Sequence, residues 1–367
     1  MTGPRLDRMP DYRPVLVTGG CGFIGSNLAD ALARRGNRVL VLDSLAREGS
    51  RENAHWLKNQ HGNRVEIKRG DVRDPETARS AVSAASAVLH LAGQVAVTTS
   101  LERPVEDFEV NARGTLNVLE AIRTRNPEAP VVFASTNKVY GRVLEQDQVR
   151  RDGPRYVPAE ECHSGGISES APLDFHSPYG CSKGAADQYV RDYARVFGLR
   201  SAVMRMSCIY GPRQFGTEDQ GWIAHFFLQA ARGEPITIYG DGYQVRDALH
   251  VEDALAAWLG ALDQIDTVRG EVFNLGGGAD NSVSLRELLE IMTEMNRSPP
   301  AVRYDAWRPG DQPWYVSDTR KLQTALSWRP KVPLREGLQS LAQWLTARFG
   351  ATPQVTGQVT AIAEARP

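Results

Sequence analysis

Cysteine is sparse in this chain of 367 residues, and its four copies stand far apart: Cys21, Cys162, Cys181 and Cys208 share no CxxC spacing. Such scatter excludes a disulfide framework and a cysteine-based zinc site, and reads as reduced thiols. The seven histidines show no HExxH or comparable ligand spacing, so no metal is expected. Neither charge is in excess, since 43 Lys+Arg face 44 Asp+Glu for a net charge of -1. With no basic surplus and no polybasic run, neither nucleic acid nor an anionic membrane is an expected partner. Long apolar runs are missing too, and none approaches the roughly 18 residues that span a bilayer. The opening Met1 to Pro14 is polar and contains proline, without the apolar stretch a signal peptide needs. A cytoplasmic globular protein is the expectation.

What is present is a chain 41% hydrophobic, enough for one large core or two modest ones. Its first half alternates short apolar runs with helical stretches, the pattern of a parallel sheet wound on both faces. Strands are expected at Val15 to Val17, Arg38 to Leu42, Arg64 to Lys68, Ala87 to Leu91, Val131 to Ala134 and Ser201 to Met204. Helices are expected at Phe23 to Arg35, Val110 to Arg123 and Gly180 to Phe197. Between Gly141 and His176 the periodicity disappears, and a stretch this long reads as a functional loop. After Met204 the alternation becomes irregular, with short strands at Ile236 to Tyr239 and Val272 to Leu275 and helices at Ser284 to Met295 and Leu334 to Phe349. The fold class is therefore α/β, a doubly wound Rossmann sheet with a smaller, interleaved C-terminal substrate-binding cap. The expected division is a dinucleotide-binding domain over 1–203 with returns near 245–275, a cap over 204–350, and a disordered tail over 351–367.

Strand Val15 to Val17 runs into Thr18-Gly19-Gly20-Cys21-Gly22-Phe23-Ile24-Gly25 and then a helix. In this GxxGxxG spacing Gly19 permits the tight turn, Gly22 lets backbone approach a pyrophosphate, and Gly25 allows helix and strand to pack closely. The helix start, at Phe23 and Ile24, offers unpaired N–H groups to the anion. Asp43, ending the second strand, is placed to accept ribose hydroxyls and to repel a 2′-phosphate, which favours NAD over NADP, and Ser44 beside it is a further candidate cofactor contact. Asp71 and Val72 fall where adenine would lie, and Leu91, Ala92 and Gly93 end the fourth strand under the cofactor. Arg47 reads equally as a cofactor contact or a solvated arginine.

Tyr179 and Lys183 form a YxxxK pair at the head of a helix, and residues four apart share a helical face. A tyrosine of ordinary pKa near 10 is a poor base at pH 7, so an adjacent ammonium and a cationic nicotinamide are its expected activators. Thr136, after the fifth strand, brings a hydroxyl to the carboxyl end of the sheet, where ligands bind. Ser135 is the neighbouring alternative.

The stretches TGGCGFIG, STNKVYG and YGCSK together resemble the extended short-chain dehydrogenase/reductase family of NAD-dependent nucleotide-sugar epimerases and dehydratases. The resemblance spans roughly Pro14 to Phe349. It implies Thr136, Tyr179 and Lys183 as the catalytic set, with Gly19, Gly22, Gly25, Asp43 and Asp71 on NAD. The 4,6-dehydratases of the family carry Asp-Glu after the threonine, where this chain has Asn137 and Lys138. An amide and an ammonium cannot carry out that elimination, so dehydration is disfavoured.

Longer strings are similar to the CDP-paratose 2-epimerases, also called CDP-tyvelose epimerases: His90 to Val95, Ser135 to Gly141, Leu173 to Tyr189, Gly211 to Phe215, Asp219 to Trp222 and Gln244 to Asp247. Cys208 and Pro212 depart from that pattern, where serine and glycine are expected. The implied reaction oxidises the sugar C2 to a transient ketone and returns the hydride to its other face. The alternatives are 4-epimerisation, or another oxidoreduction of a nucleotide sugar, on the same fold. A silent NAD-binding scaffold would have no need of Thr136, Tyr179 and Lys183 together. Arg246 and Arg308 are candidates for the substrate diphosphate, because a guanidinium binds phosphate oxygens in pairs. The other readings are a salt bridge to Asp247 for Arg246 and a surface position for Arg308. Gln94, Asn137, Lys138 and His176 are candidates to line the sugar pocket, and each reads equally as a structural residue behind it. The resemblance also implies a homodimer through helices such as Val110 to Arg123 and Gly180 to Phe197.

Overall fold

The run Val15–Thr18 is buried on both faces and forms strand β1 in the interior of a seven-stranded sheet. The computed structural model describes residues 13–350 apart from 164, 297 and 309. On one side of β1 lie β2 (Val39–Asp43) and then β3 (Val65–Arg69); on the other lie β4 (Ala87–His90), β5 (Val131–Thr136), Ser201–Met206 and Glu271–Leu275. All seven strands run parallel. Val15 stands in register with both Val39 and Ala87. Helices cover both faces, so β1 and β5 are buried throughout rather than alternating. One face buries Leu28 and Leu32 of helix α1 (Phe23–Arg34) together with Trp258. The other buries Val118, Ile122, Val190 and Leu199. The chain reverses its winding between β3 and β4, which opens a crevice at the carboxyl ends of β1 and β4. Doubly wound sheets bind their ligands in such a crevice.

Above that crevice lies a second core. Helices Trp222–Arg232, Leu285–Asn296 and Leu334–Phe349 pack Phe226, Phe227, Leu288, Met292, Leu338 and Leu341 against Ile236 and Ile238. Strand Val245–His250 lies between the two cores, pairing with Ser282–Ser284, Trp314–Tyr315 and Cys208–Tyr210. The strand Glu271–Leu275 rejoins the first sheet beside Ser201–Met206.

Two expectations need correction. The segment from Gly141 to His176 is not without regular structure, because Val149–Asp152 and Arg155–Pro158 form an antiparallel hairpin. Gly153, at φ +55°, opens its two-residue turn, a position that demands a left-handed backbone. Val149 and Tyr156 share a buried cluster with Val245 and Tyr315. The helix read from Val110 is α-helical only from Gly114 to Arg125, after a wider π turn at Glu109–Arg113. The tail over 351–367 lies outside the described residues. Among the described residues no helix is long and apolar enough to cross a membrane.

Candidate active site

The glycine turn after β1 is held by close backbone approach. Gly19 sits at φ +65°, and a Cβ there would come within 2.7 Å of the Ala92 nitrogen. A Cβ on Gly25 would collide with the Gly19 carbonyl oxygen, so any larger residue would pry α1 from β1. Gly22 caps α1 with no side-chain hydrogen bond, leaving the first-turn amides free to meet an anion. Arg47 and Arg213 line the adjoining cavity with Cys21, Gly22 and Phe23. The Arg47 Nη2 donates to Gln220 Oε1 at 3.0 Å, so this arginine reaches across the cavity mouth. Asp43 accepts the Cys21 and Leu45 N–H groups at 2.9 and 2.8 Å. Burial pushes its carboxyl up, and those two donors oppose the rise. Its remaining lone pairs are available for ribose hydroxyls.

Asp71 is paired with Arg73 at 2.7 Å, which holds its carboxyl below the usual range. The Val72 side chain is buried and its carbonyl accepts from Asn117 at 2.9 Å. Leu91, Ala92 and Gly93 follow β4 in a half-buried turn beside Gly19. Residues of these kinds suit a dinucleotide, with an uncapped helix start for the pyrophosphate and a carboxylate for the ribose.

Thr136 ends β5, and its Oγ1 accepts the Lys138 N–H at 3.2 Å. Tyr179 and Lys183 lie buried in the helix Ser177–Phe197. Burial pushes the Tyr179 phenol up to about 12, opposed by a hydrogen bond from Thr136 and by the charge of Arg47. The Lys183 ammonium sits 4.3 Å from the centroid of the Phe133 ring. Burial lowers it to about 8, and the carboxylates of Asp187 and Asp107 oppose that fall. In this arrangement Thr136 and Arg47 favour the phenolate, while the Asp107 carboxylate disfavours it. Ser135 faces the other way and donates to Asp187 Oδ2 at 2.7 Å, which leaves Thr136 as the hydroxyl beside Tyr179.

Arg246 does not pair with Asp247. Its Nη2 bonds Asp311 Oδ1 at 2.6 Å, whereas Asp247 accepts from the Ser207 hydroxyl and the Gly278 N–H. Arg308 is not a loose surface arginine either: it stacks 3.8 Å from the Tyr239 ring centroid and donates to the Glu218 carbonyl at 2.9 Å. Lys138 Nζ donates to Gln312 Oε1 at 3.2 Å. Asn137 is buried and accepts weakly from Thr136 Oγ1 at 3.4 Å. The Gln94 amide folds back on Ala96, bonding its N–H and its carbonyl. His176 is exposed and paired with Asp174 at 2.8 Å, at the start of the helix that carries Tyr179.

Several buried polar residues here escape a reading by motif. Asp107, Asn111 and Ser182 form one cluster beside Lys183, with Asn111 Nδ2 bonded to both Asp107 and Ser182. Asn111 lies in the π turn, which a 3.6-residue period cannot register. His90 bridges Thr18 and Thr115 at 2.6 and 3.1 Å, and burial depresses it to about 3, so it stays neutral. Gln312 is wholly buried, and a buried glutamine in a proline-flanked stretch carries no spacing signal.

Known proteins give this geometry its context. The chain is 43% identical over 340 residues, 91% of its length and 99% of the relative's, to the CDP-paratose 2-epimerase of Salmonella typhi. A solved UDP-glucose 4-epimerase of Thermus thermophilus, in complex with NAD, superimposes with a TM-score of 0.75 at 36% identity, covering 90% of this chain and 98% of that one. A UDP-glucose 4-epimerase of Thermotoga maritima, with UDP-glucose, gives a TM-score of 0.79 at 30% identity and covers 92% and 99%. Residues 15–276 match the NAD dependent epimerase/dehydratase family, and the chain belongs to that family.

Proposed function

We propose that this NAD-dependent enzyme inverts C2 of a nucleotide-diphosphate sugar of the CDP-paratose type. The observation that carries the reading is the border of the buried Thr136–Tyr179–Lys183 set. Beyond Thr136 stand Asn137 and Lys138, an amide and an ammonium, where elimination of a sugar hydroxyl needs acids. The inversion of C2 rather than C4 follows the similarity to the Salmonella typhi protein. Bound NAD supplies a hydride acceptor that returns what it takes, so no outside oxidant is consumed. Tyr179 takes the proton of the reacting hydroxyl and later gives it back. Thr136 holds that oxygen as it passes between alcohol and ketone, and Lys183 keeps a positive charge close by. Arg246 and Arg308 are proposed for the diphosphate, each exchanging an acidic or carbonyl partner for phosphate oxygens.

The enzyme is also proposed to act as a homodimer. Val105 and Phe108 stand exposed on the short helix Pro104–Phe108, as do Tyr189, Val196 and Phe197 on Ser177–Phe197, a face that association would cover. Incubation with CDP-, UDP-, GDP- and dTDP-sugars tests the reading. The expected result is a C2 epimer from a CDP-sugar without accumulation of NADH. A C4 epimer, or a 4-keto-6-deoxy product, would contradict it.

A further inference from the structure

Two segments remote in sequence meet at Lys138. The residue follows β5 two positions after Thr136, and its side chain runs to the segment at Asp311 and Gln312. There Asp311 and Gln312 divide two cations between them. The Asp311 carboxylate takes Arg246 at 2.6 Å, and the Gln312 carbonyl oxygen takes the Lys138 ammonium at 3.2 Å. The Gln312 Nε2 donates to the Gly141 carbonyl, so one amide grips both the ammonium and the turn behind it. Gln312 has no exposed surface, and a buried amide bonded at both ends has one orientation. The ammonium carries three donors, and the bond to Gln312 uses one of them.

We infer that Gln312 is a positioning residue: it aims the Lys138 ammonium at an oxygen of the sugar ring, so that the pair reads the sugar rather than the nucleotide. This inference rests on the proposed nucleotide-sugar chemistry. A lysine alone, on its flexible stem, would swing toward Asp311 or solvent. Gln312 cannot neutralise it, so the charge stays free to donate to the ligand. The titratable groups facing Lys138 are Arg246, Asp311 and the Cys208 thiol, whose own ionisation burial disfavours, and burial with Arg246 lowers the ammonium to about 8.

A double-mutant cycle tests this by calorimetry, titrating CDP and CDP-glucose into the NAD-loaded wild type, Gln312→Leu, Lys138→Met and the double variant. Each single change is expected to weaken CDP-glucose about tenfold, the range of a hydrogen bond to a charged group. CDP alone should stay within about twofold. The double variant should lose no more than Lys138→Met, because Gln312 acts through the lysine. Should Gln312→Leu fold poorly, Gln312→Glu serves in its place: a carboxylate would pin the ammonium, with the same selective loss for CDP-glucose. Additive losses, or equal weakening of CDP and CDP-glucose, would overturn the inference. If the wild type binds UDP- or dTDP-glucose instead, the proposed base fails and the cycle is read with that nucleotide. Binding of no nucleotide sugar would overturn the proposed function and this inference together.

Discussion

Ser135 and Thr136 are adjacent on β5, yet their hydroxyls serve opposite faces of the sheet. Ser135 donates to Asp187 Oδ2 at 2.7 Å, inside a buried network that continues through Arg205 to Tyr140. Thr136 turns to the Lys138 N–H and the Tyr179 phenol. The alternation is that of any strand, in which successive side chains point to opposite sides. One residue therefore belongs to the scaffold and the next to the chemistry.

Substitution separates the two. Ser135→Ala should keep kcat within about twofold and cost about 1 kcal/mol of stability, the worth of one hydrogen bond. Thr136→Val should lower kcat by about 10²–10³, as when a donor to a developing charge is removed. Its pH profile carries a sign. The Thr136 hydrogen bond favours the phenolate, so its loss raises Tyr179 further above the ordinary phenol. A base acts once deprotonated, and the rising acid limb of kcat/KM should move to higher pH. Steady-state kinetics from about pH 5 to about 10 check both statements.

Asp187 and Arg205 are both fully buried and paired at 2.9 Å through two hydrogen bonds. Removing one partner strands the other charge away from water. Asp187→Ala should cost about 3–5 kcal/mol in urea unfolding. A loss below about 1 kcal/mol would mean that the guanidinium finds water or another partner.

Asp43 should decide the cofactor. Its carboxylate lies at the end of β2, fixed by the N–H groups of Cys21 and Leu45. The protein is expected to bind NAD+ in preference to NADP+, and Asp43→Ala to narrow that preference by about tenfold or more as the repulsion of the 2′-phosphate is removed. Tighter NADP+ than NAD+ binding by the wild type would remove Asp43 from this role.

Much of this is legible in the residues because it depends on local pattern. The strand at Val15, the glycine turn and the helix from Phe23 are one continuous signal of burial followed by 3.6-residue spacing. Thr136 and Tyr179, by contrast, meet only once β5 and the helix from Ser177 are packed together, and motif resemblance alone links them in the sequence. The hairpin at 149–158 escapes a reading by periodicity because its strands are short, although Gly153-Pro154 is a turn signal. The Arg246–Asp311 and Lys138–Gln312 pairs span 65 and 174 positions, and no window along the chain can join such residues. Proximity along the chain suggests Asp247 as the partner of Arg246, but that carboxylate points to Ser207.

The proposed reaction takes a hydride from C2 and returns it there within one closed site. Its most direct test is the epimerisation of a CDP-sugar in D2O, with C2 of the product read by NMR and mass spectrometry. A hydride held between sugar and cofactor never mixes with solvent, so the product should carry essentially no deuterium at C2. Substrate deuterated at C2 should correspondingly keep its label through inversion in H2O. Solvent deuterium at C2 would show proton abstraction from carbon, and inversion confined to C4 would place the reaction at another carbon; either result contradicts hydride return at C2.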